Sequence, residues 1–270
     1  MSGLPRQAHE FPILNEGCLE KASKALRRTA IQRMRTSPRS EDWVTWNMLQ
    51  PLLTPSDEHG GRVLDRDAWQ HIVSLAGRCA PGAPQAGLDA PPRVKFWLRR
   101  ASPPAYEAAR RERMRKATEQ RLRERAENAR PVEGPSEIDV AFIGKDYLIF
   151  AEAKLTSDIA DGTTYDPTRN QIVRNIDCLL EECGDRQPLF WMFAKDRAPS
   201  RKYVAKMDQY RKNALDLSAA LPHRGEPDLC RVGGGLAIIL WQEIFALVAD
   251  RAYPDPAWEE VRAELRRRVH

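Results

Sequence analysis

Hydrophobic positions along this chain change period several times, and each change marks an element. Leu19, Ala22, Leu26 and Ala30 recur at helical spacing between Asn15 and Arg35, among lysines and arginines. Ser37-Pro38-Arg39-Ser40 interrupts that pattern, and Ser40 reads as the N-cap of a second helix, Glu41 to Leu49, stopped by Pro51. Trp43, Trp46 and Leu49 or Gln50 give this helix one apolar stripe. Residues 54–92 read as an insertion: a turn-rich start, a short helix around Asp67 to Leu75, then a loop rich in Gly, Ala and Pro. Val94 to Leu98 reads as a strand, the first of the core sheet, and Ala105 to Arg130 as a long charged helix. Ile138 to Ile143 and Tyr147 to Ala153 are short apolar runs around Gly144-Lys145-Asp146, the signature of a hairpin. Asp166-Pro167 opens a further helix with Ile172, Ile176 and Leu179 or Leu180 inward. Pro188 to Ala194 is a near-continuous apolar run, as a buried strand should be. A helix from Ser200 to Ala219, a loop from Pro222 to Gly235, a strand from Leu236 to Leu240 and helices over Trp241 to Asp250 and Pro256 to Val269 complete the chain.

Charge changes the reading of the hairpin. Asp139 sits on its first strand and Glu152 and Lys154 on its second, all at one end of an otherwise apolar pair. Buried strands carry such groups only where they pair or hold a ligand. Glu152 and Lys154 are two apart and share a face. Asp139 joins that face if the loop is two residues, and with Lys145-Asp146 as the loop it lies opposite Glu152. A three-residue loop without a bulge would turn it away. Two carboxylates are hard oxygen ligands suited to magnesium, with manganese as a substitute, and such an ion can activate water against a phosphodiester. Lys154 is a compact cation able to orient or deprotonate that water, or to offset phosphate charge.

Asp139 followed by Glu152-Ala153-Lys154 after a hairpin resembles the central motifs of the PD-(D/E)xK nuclease superfamily. The resemblance spans roughly residues 41–240 with a long interruption, and it is specific only between Ser136 and Asn175. It implies an α/β, restriction-endonuclease-like core: a helix, a three-stranded antiparallel run, a helix and a further strand, in a mixed, mainly antiparallel sheet flanked by helices. Residues 1–270 then form a single nuclease-like domain, with 94–240 as most of the catalytic core and 40–50 as its first helix. Glu41 resembles the helix glutamate that supplies a further metal ligand, although an acid in the first turn also suits the helix dipole. Gln171 is placed like the helix glutamine that some members bring to the active centre. Arg174, one turn on, is a candidate for the scissile phosphate or for an active-site acid. Glu137 is a secondary candidate ligand.

The 270 residues carry a net charge of +5, which favours an anionic partner. Arg110, Arg113, Lys116 and Arg121 are candidates for gripping nucleic acid, against the plainer reading of a solvated, ion-paired helix face. Five cysteines form no zinc pattern, and with no signal peptide they suggest a reducing cytoplasm. No apolar run approaches the ~20 residues of a membrane span. The expected activity is magnesium-dependent cleavage of DNA, in bacterial antiviral defence or repair by analogy. The alternatives are a non-catalytic module binding nucleic acid or a protein on the same fold, and a hydrolase of RNA or nucleotides. A protein partner or a second copy of the chain stays open.

Overall fold

The computed structural model describes residues 40–56, 61–80, 87–116, 133–162, 166 and 169–270. The first expected helix (15–35) and residues 117–130 of the charged helix, Arg121 included, lie outside them. Among the described residues, seven strands form one sheet in sequence order: β1 (Leu53–Ser56), β2 (Gly61–Leu64), β3 (Arg93–Arg100), β4 (Ser136–Ile143), β5 (Tyr147–Lys154), β6 (Gln187–Ala194) and β7 (Leu236–Leu240). Neighbours from β1 to β5 are antiparallel, whereas β5, β6 and β7 run parallel. The protein is therefore α/β with a mixed sheet, as the alternation of periods suggests.

Parallel neighbours need crossovers, and helices supply them. α4 (Gln171–Cys183) connects β5 to β6, and α5 (Lys202–Lys212), α6 (Ala214–Ala220) and α7 (Glu226–Gly233) connect β6 to β7. The remaining described helices are α1 (Glu41–Leu49), α2 (Arg66–Cys79), α3 (Pro104–Lys116), α8 (Trp241–Val248) and α9 (Trp258–Val269). Two apolar clusters result, one on each face of the sheet. Trp43 of α1, Trp69 of α2 and Trp241 of α8 pack with Ile149, Ala151, Trp191 and Phe193. Ile172, Ile176 and Leu179 of α4 pack on the other face with Leu148, Phe150, Phe190 and Met192. The odd residues of β5 thus face one cluster, and the even ones face the other. Glu152 and Lys154 continue the even series and point toward the α4 side.

Several boundaries differ from expectation. Segment 54–92, read as an insertion, holds most of the edge strand β1, its neighbour β2, and α2, whose Trp69, Ile72 and Leu75 belong to the main core. The strand at Val94 to Leu98 is third in the sheet. α1 is buried on every side from Trp43 to Leu49 rather than along one stripe, because the sheet, α8 and α9 all pack on it. The helix expected from Asp166 begins five residues later, where Asn170 Oδ1 accepts the Val173 N–H at 3.1 Å. The segment 200–219 divides at Asn213, whose side chain caps α6 at Leu215. The expected loop 222–235 contains α7, which carries proline in its first turn, where no amide partner is lost.

The hairpin loop is Lys145-Asp146: Ile143 pairs with Leu148, and the Gly144 N–H donates to the Tyr147 carbonyl at 3.1 Å. A Cβ at Gly144 would collide with the Tyr147 ring. That ring cannot yield, since its hydroxyl donates to Ala90 O at 2.6 Å and its face stacks on Trp69. Gly144→Ala is therefore expected to destabilise the protein by ~1–3 kcal/mol, the scale of overpacking in a core, as read from its urea midpoint.

Candidate active site

Regular alternation fails in β3 and β4 at the same level. Phe96 pairs with Val140 and Leu98 with Ile138, but the intervening Trp97, opposite Asp139, has φ of 51°. A bulky side chain there is an outlier that costs on the order of 1–3 kcal/mol. Across this point both strands exchange faces. Phe96 and Val140 join the α1 cluster, whereas Leu98 and Ile138 join the α4 cluster. The β4–β5 ladder ends at Val140–Ala151, and the next position belongs to side chains. Continuing the register puts Asp139 opposite Glu152, and Asp139 Oδ2 accepts the Ala153 N–H at 2.7 Å.

Glu152 is nearly sealed from solvent at 1% exposure. Lys154 Nζ donates to its Oε1 at 2.8 Å, Gln171 Nε2 to the same oxygen at 2.5 Å, and Asn175 Nδ2 to Oε2 at 2.8 Å. Gln171 and Asn175 lie four apart on α4 and so share one face. Ser40 caps α1 by accepting the Asp42 N–H at 3.1 Å, which places Glu41 in the first turn. Glu41 Oε1 accepts from Leu155 N at 2.9 Å and Ser157 Oγ at 2.6 Å, tying α1 to the segment after β5. Its Oε2 lies 3.7 Å from Lys154 Nζ. Asp42 Oδ1 accepts from Trp97 Nε1 at 2.8 Å.

Burial pushes Asp139 well above the usual carboxylate range, and the charges of Glu152 and Asp42 push the same way, against the Ala153 N–H. Burial also raises Glu152, although the Lys154 ammonium opposes it. Burial would lower Lys154, but Glu152, Glu41 and Asp139 together hold it above the ordinary lysine value. Lys154 is thus an ammonium at neutral pH in this arrangement. It is set to donate hydrogen bonds and offset negative charge, and it is not set to take up a proton. Raised carboxyl values mean that the native state binds protons more readily than the unfolded chain, so this pair lowers stability as pH rises. In EDTA, Asp139→Asn should raise the melting midpoint at pH 7.5 by about 2–4 °C, or ~1 kcal/mol for a domain of this size. The gain should shrink as pH falls, because protonation of the wild-type pair relieves the same repulsion.

Among the described residues, no group of three His, Cys, Asp or Glu side chains converges as a ready-made metal cage. The Asp139–Glu152 pair nevertheless has the chemistry for magnesium, which is held by one or two carboxylates and keeps several waters. A half-buried and a buried carboxyl, both with raised proton affinity, are also a place where a divalent cation would relieve repulsion.

The structure brings Asp139, Glu152, Lys154, Gln171 and Glu41 together. It directs other candidates elsewhere. Arg174 pairs with Glu133 at 3.0 Å and donates to Gly134 O at 3.2 Å, so it serves neither Asp139 nor Glu152 here. Arg113 lies 3.5 Å from Asp166 and Lys116 3.4 Å from Glu112 on their own side of α3, and Arg110 is half-buried beside them. Glu137 is exposed and lies opposite Arg99.

Sequence reasoning missed the roles of Asn175, Asp42 and Trp97, and it missed a buried ionic hub beneath α4. Arg169, 1% exposed, pairs with Glu133 at 3.0 Å and Asp177 at 2.8 Å. Asp177 also receives Arg224 at 2.7 Å and His223 at 3.0 Å, and Ser102 Oγ donates to Glu133 at 3.1 Å. The hub locks the approach to β4 and the helix bearing Gln171 and Asn175 into one unit. The spacing of Gln171 and Asn175 was a usable signal. The hub joins residues up to 122 positions apart (Ser102 to Arg224) and left none.

Comparison of the chain with protein-family models, curated proteins and solved structures finds no match.

Proposed function

We propose that this chain is a metal-dependent nuclease of the PD-(D/E)xK type, on a restriction-endonuclease-like core, hydrolysing phosphodiester bonds with DNA as the leading substrate. One observation carries this reading: Asp139, Glu152 and Lys154 meet at the open end of the β4–β5 hairpin, braced by Gln171 and Glu41. The order of elements supports it as well. A helix (α1), three antiparallel strands (β3, β4, β5), a helix (α4) and a further strand (β6) occur in that order, with β1, β2 and α2 between α1 and β3 and with α3 between β3 and β4.

Asp139 and Glu152 would hold magnesium, which when bound supplies Lewis acidity and lowers the pKa of a coordinated water. Gln171 and Asn175 fix the Glu152 carboxylate, and because Lys154 and Gln171 both donate to Oε1, the open acceptor position is on Oε2. Lys154, kept protonated between Glu152 and Glu41, donates to the attacking water or to the phosphoryl oxygens and offsets charge that develops there. Glu41 steadies that ammonium and the backbone after β5. Leu155 N and Ser157 Oγ occupy its Oε1, so Oε2, which faces Lys154, is the oxygen that could reach the ion as a further ligand.

The test is incubation with supercoiled plasmid, labelled single-stranded DNA, RNA and free nucleotides, with magnesium, manganese or EDTA. Scission of DNA only with metal is the expected result. DNA that is bound but left intact would favour a binding module, and preferential breakdown of RNA or nucleotides would favour the other hydrolase. Magnesium should also raise the melting midpoint of the wild type and leave that of Asp139→Ala unmoved, since only the native pair binds it.

A further inference from the structure

A cleft of about 630 Å³ opens along β3, the strand that carries the Trp97 distortion and pairs with the Asp139 strand. Its volume falls in the ~300–1,000 Å³ range of ligand sites. In a regular strand Phe96 and Trp97 would face opposite sides of the sheet. The positive φ at Trp97 brings both rings to one side, 5.7 Å apart, where both meet Trp46 of α1. Trp46 and Trp97 are nearly parallel, 13° apart in plane with centroids 5.6 Å apart. Arg62 of β2 lies over the Trp46 ring at 4.8 Å. Lys95 and Arg99, both exposed, flank the rings on β3. The lining residues thus bring three cations and three aromatic rings and no carboxylate. Asp42 approaches only through Trp97 Nε1, and Glu137 lies across the ladder from Arg99.

We infer that this cleft binds an unpaired nucleotide of single-stranded DNA, its base stacked on the Trp97 and Phe96 rings and its flanking phosphates on Arg62, Lys95 and Arg99. This rests on the nuclease reading and deepens it, assigning unpaired or locally opened DNA as the substrate. Every base has a π-face that an aromatic ring can stack on, and in a duplex those faces are already covered. Cations around the rings match a phosphate backbone. The strain at Trp97 then has a use: it turns a second ring into the cleft, on the residue that lies opposite Asp139 in the β3–β4 ladder.

The test is fluorescence anisotropy in EDTA with a short labelled oligothymidylate, oligouridylate and a blunt duplex. Trp97→Leu is expected to weaken oligothymidylate binding by about ten-fold or more, the scale of one lost base stack, and to leave the duplex nearly unchanged. Lys95→Ser/Arg99→Ser, at exposed positions where folding is safe, should reduce the salt slope of single-strand binding by about 1.4, at ~0.7 per phosphate contact. Wild-type affinity and slope in both variants, or equal losses for duplex and single strand, overturn the inference. Oligouridylate bound about ten-fold more tightly than oligothymidylate overturns the assignment to DNA. Trp97-dependent binding by a wild type that cuts nothing with magnesium would leave the cleft standing and remove the nuclease reading. Cutting that Asp139→Ala abolishes, but that proceeds with single-strand binding intact in Trp97→Leu, would remove the cleft alone.

Discussion

Asp139→Ala and Lys154→Ala are each expected to lose about 10²–10⁴-fold of the magnesium-dependent cleavage rate, the range for removing one preorganised charge or proton-handling group from a closed site. The two losses have different origins. Asp139→Ala removes one of the two carboxylates that would hold the ion and frees the Ala153 N–H. Lys154→Ala leaves both carboxylates and removes the ammonium that lies 2.8 Å from Glu152 and 3.7 Å from Glu41. Magnesium should therefore still raise the melting midpoint of Lys154→Ala, whereas Asp139→Ala should not respond. Because the groups act together, the double variant should be scarcely slower than the slower single one. Initial rates of plasmid nicking, with circular dichroism to verify folding, measure all three. Activity within a few-fold of wild type in either folded single variant would sink the site assignment.

Asp177→Ala is expected to destabilise the protein by ~3–5 kcal/mol, because it leaves buried cations without their counter-charge. Asp177 is wholly buried, and Arg169, Arg224 and His223 all converge on it. Burial alone would raise its pKa, but the His223 hydrogen bond and the charges of Arg169 and Arg224 hold it below the usual range. Its stabilisation is therefore full above the unfolded-state value of about 3.9 and is lost as pH falls through the lower folded value. Wild type should lose stability steeply below about pH 4, and the variant should show a shallower acid limb. At neutral pH the melting midpoint should drop on the order of 6–20 °C, at ~2–4 °C per kcal/mol. A drop of only a degree or two would mean that the hub contributes little beyond packing.

These two regions differ in how far they could be read from the chain alone. The hairpin was legible because its information is local. Alternation defines two strands, a two-residue turn defines their register, and register places Asp139 against Glu152. β6 and β7 announced themselves through continuous apolar runs, since strands covered on both faces have no polar side to show. β1 and β2 did not, because each is only four residues long and carries little periodicity, β1 at the sheet edge and β2 beside it. The late start of α4 was missed because Asp166-Pro167 and Asn170 both carry helix-start chemistry, and only packing chose between them.

By itself, the sequence determined an α/β chain, a hairpin around Gly144-Lys145-Asp146, and Asp139, Glu152 and Lys154 at one end of it, while the loop length that sets Asp139 against Glu152 stayed open. All of these depend on residues within about 15 positions of one another, where covalent geometry limits the arrangements. Only the tertiary structure decided that Gln171 and Asn175 clasp Glu152, that Arg174 turns away to Glu133, and that Glu41 returns across 114 positions to Leu155. It also decided that Trp97 takes a strained conformation beside Asp139. Contacts of that kind depend on how layers of helix pack on a twisted sheet, and side chains meet there through the summed burial of two cores rather than through any spacing along the chain.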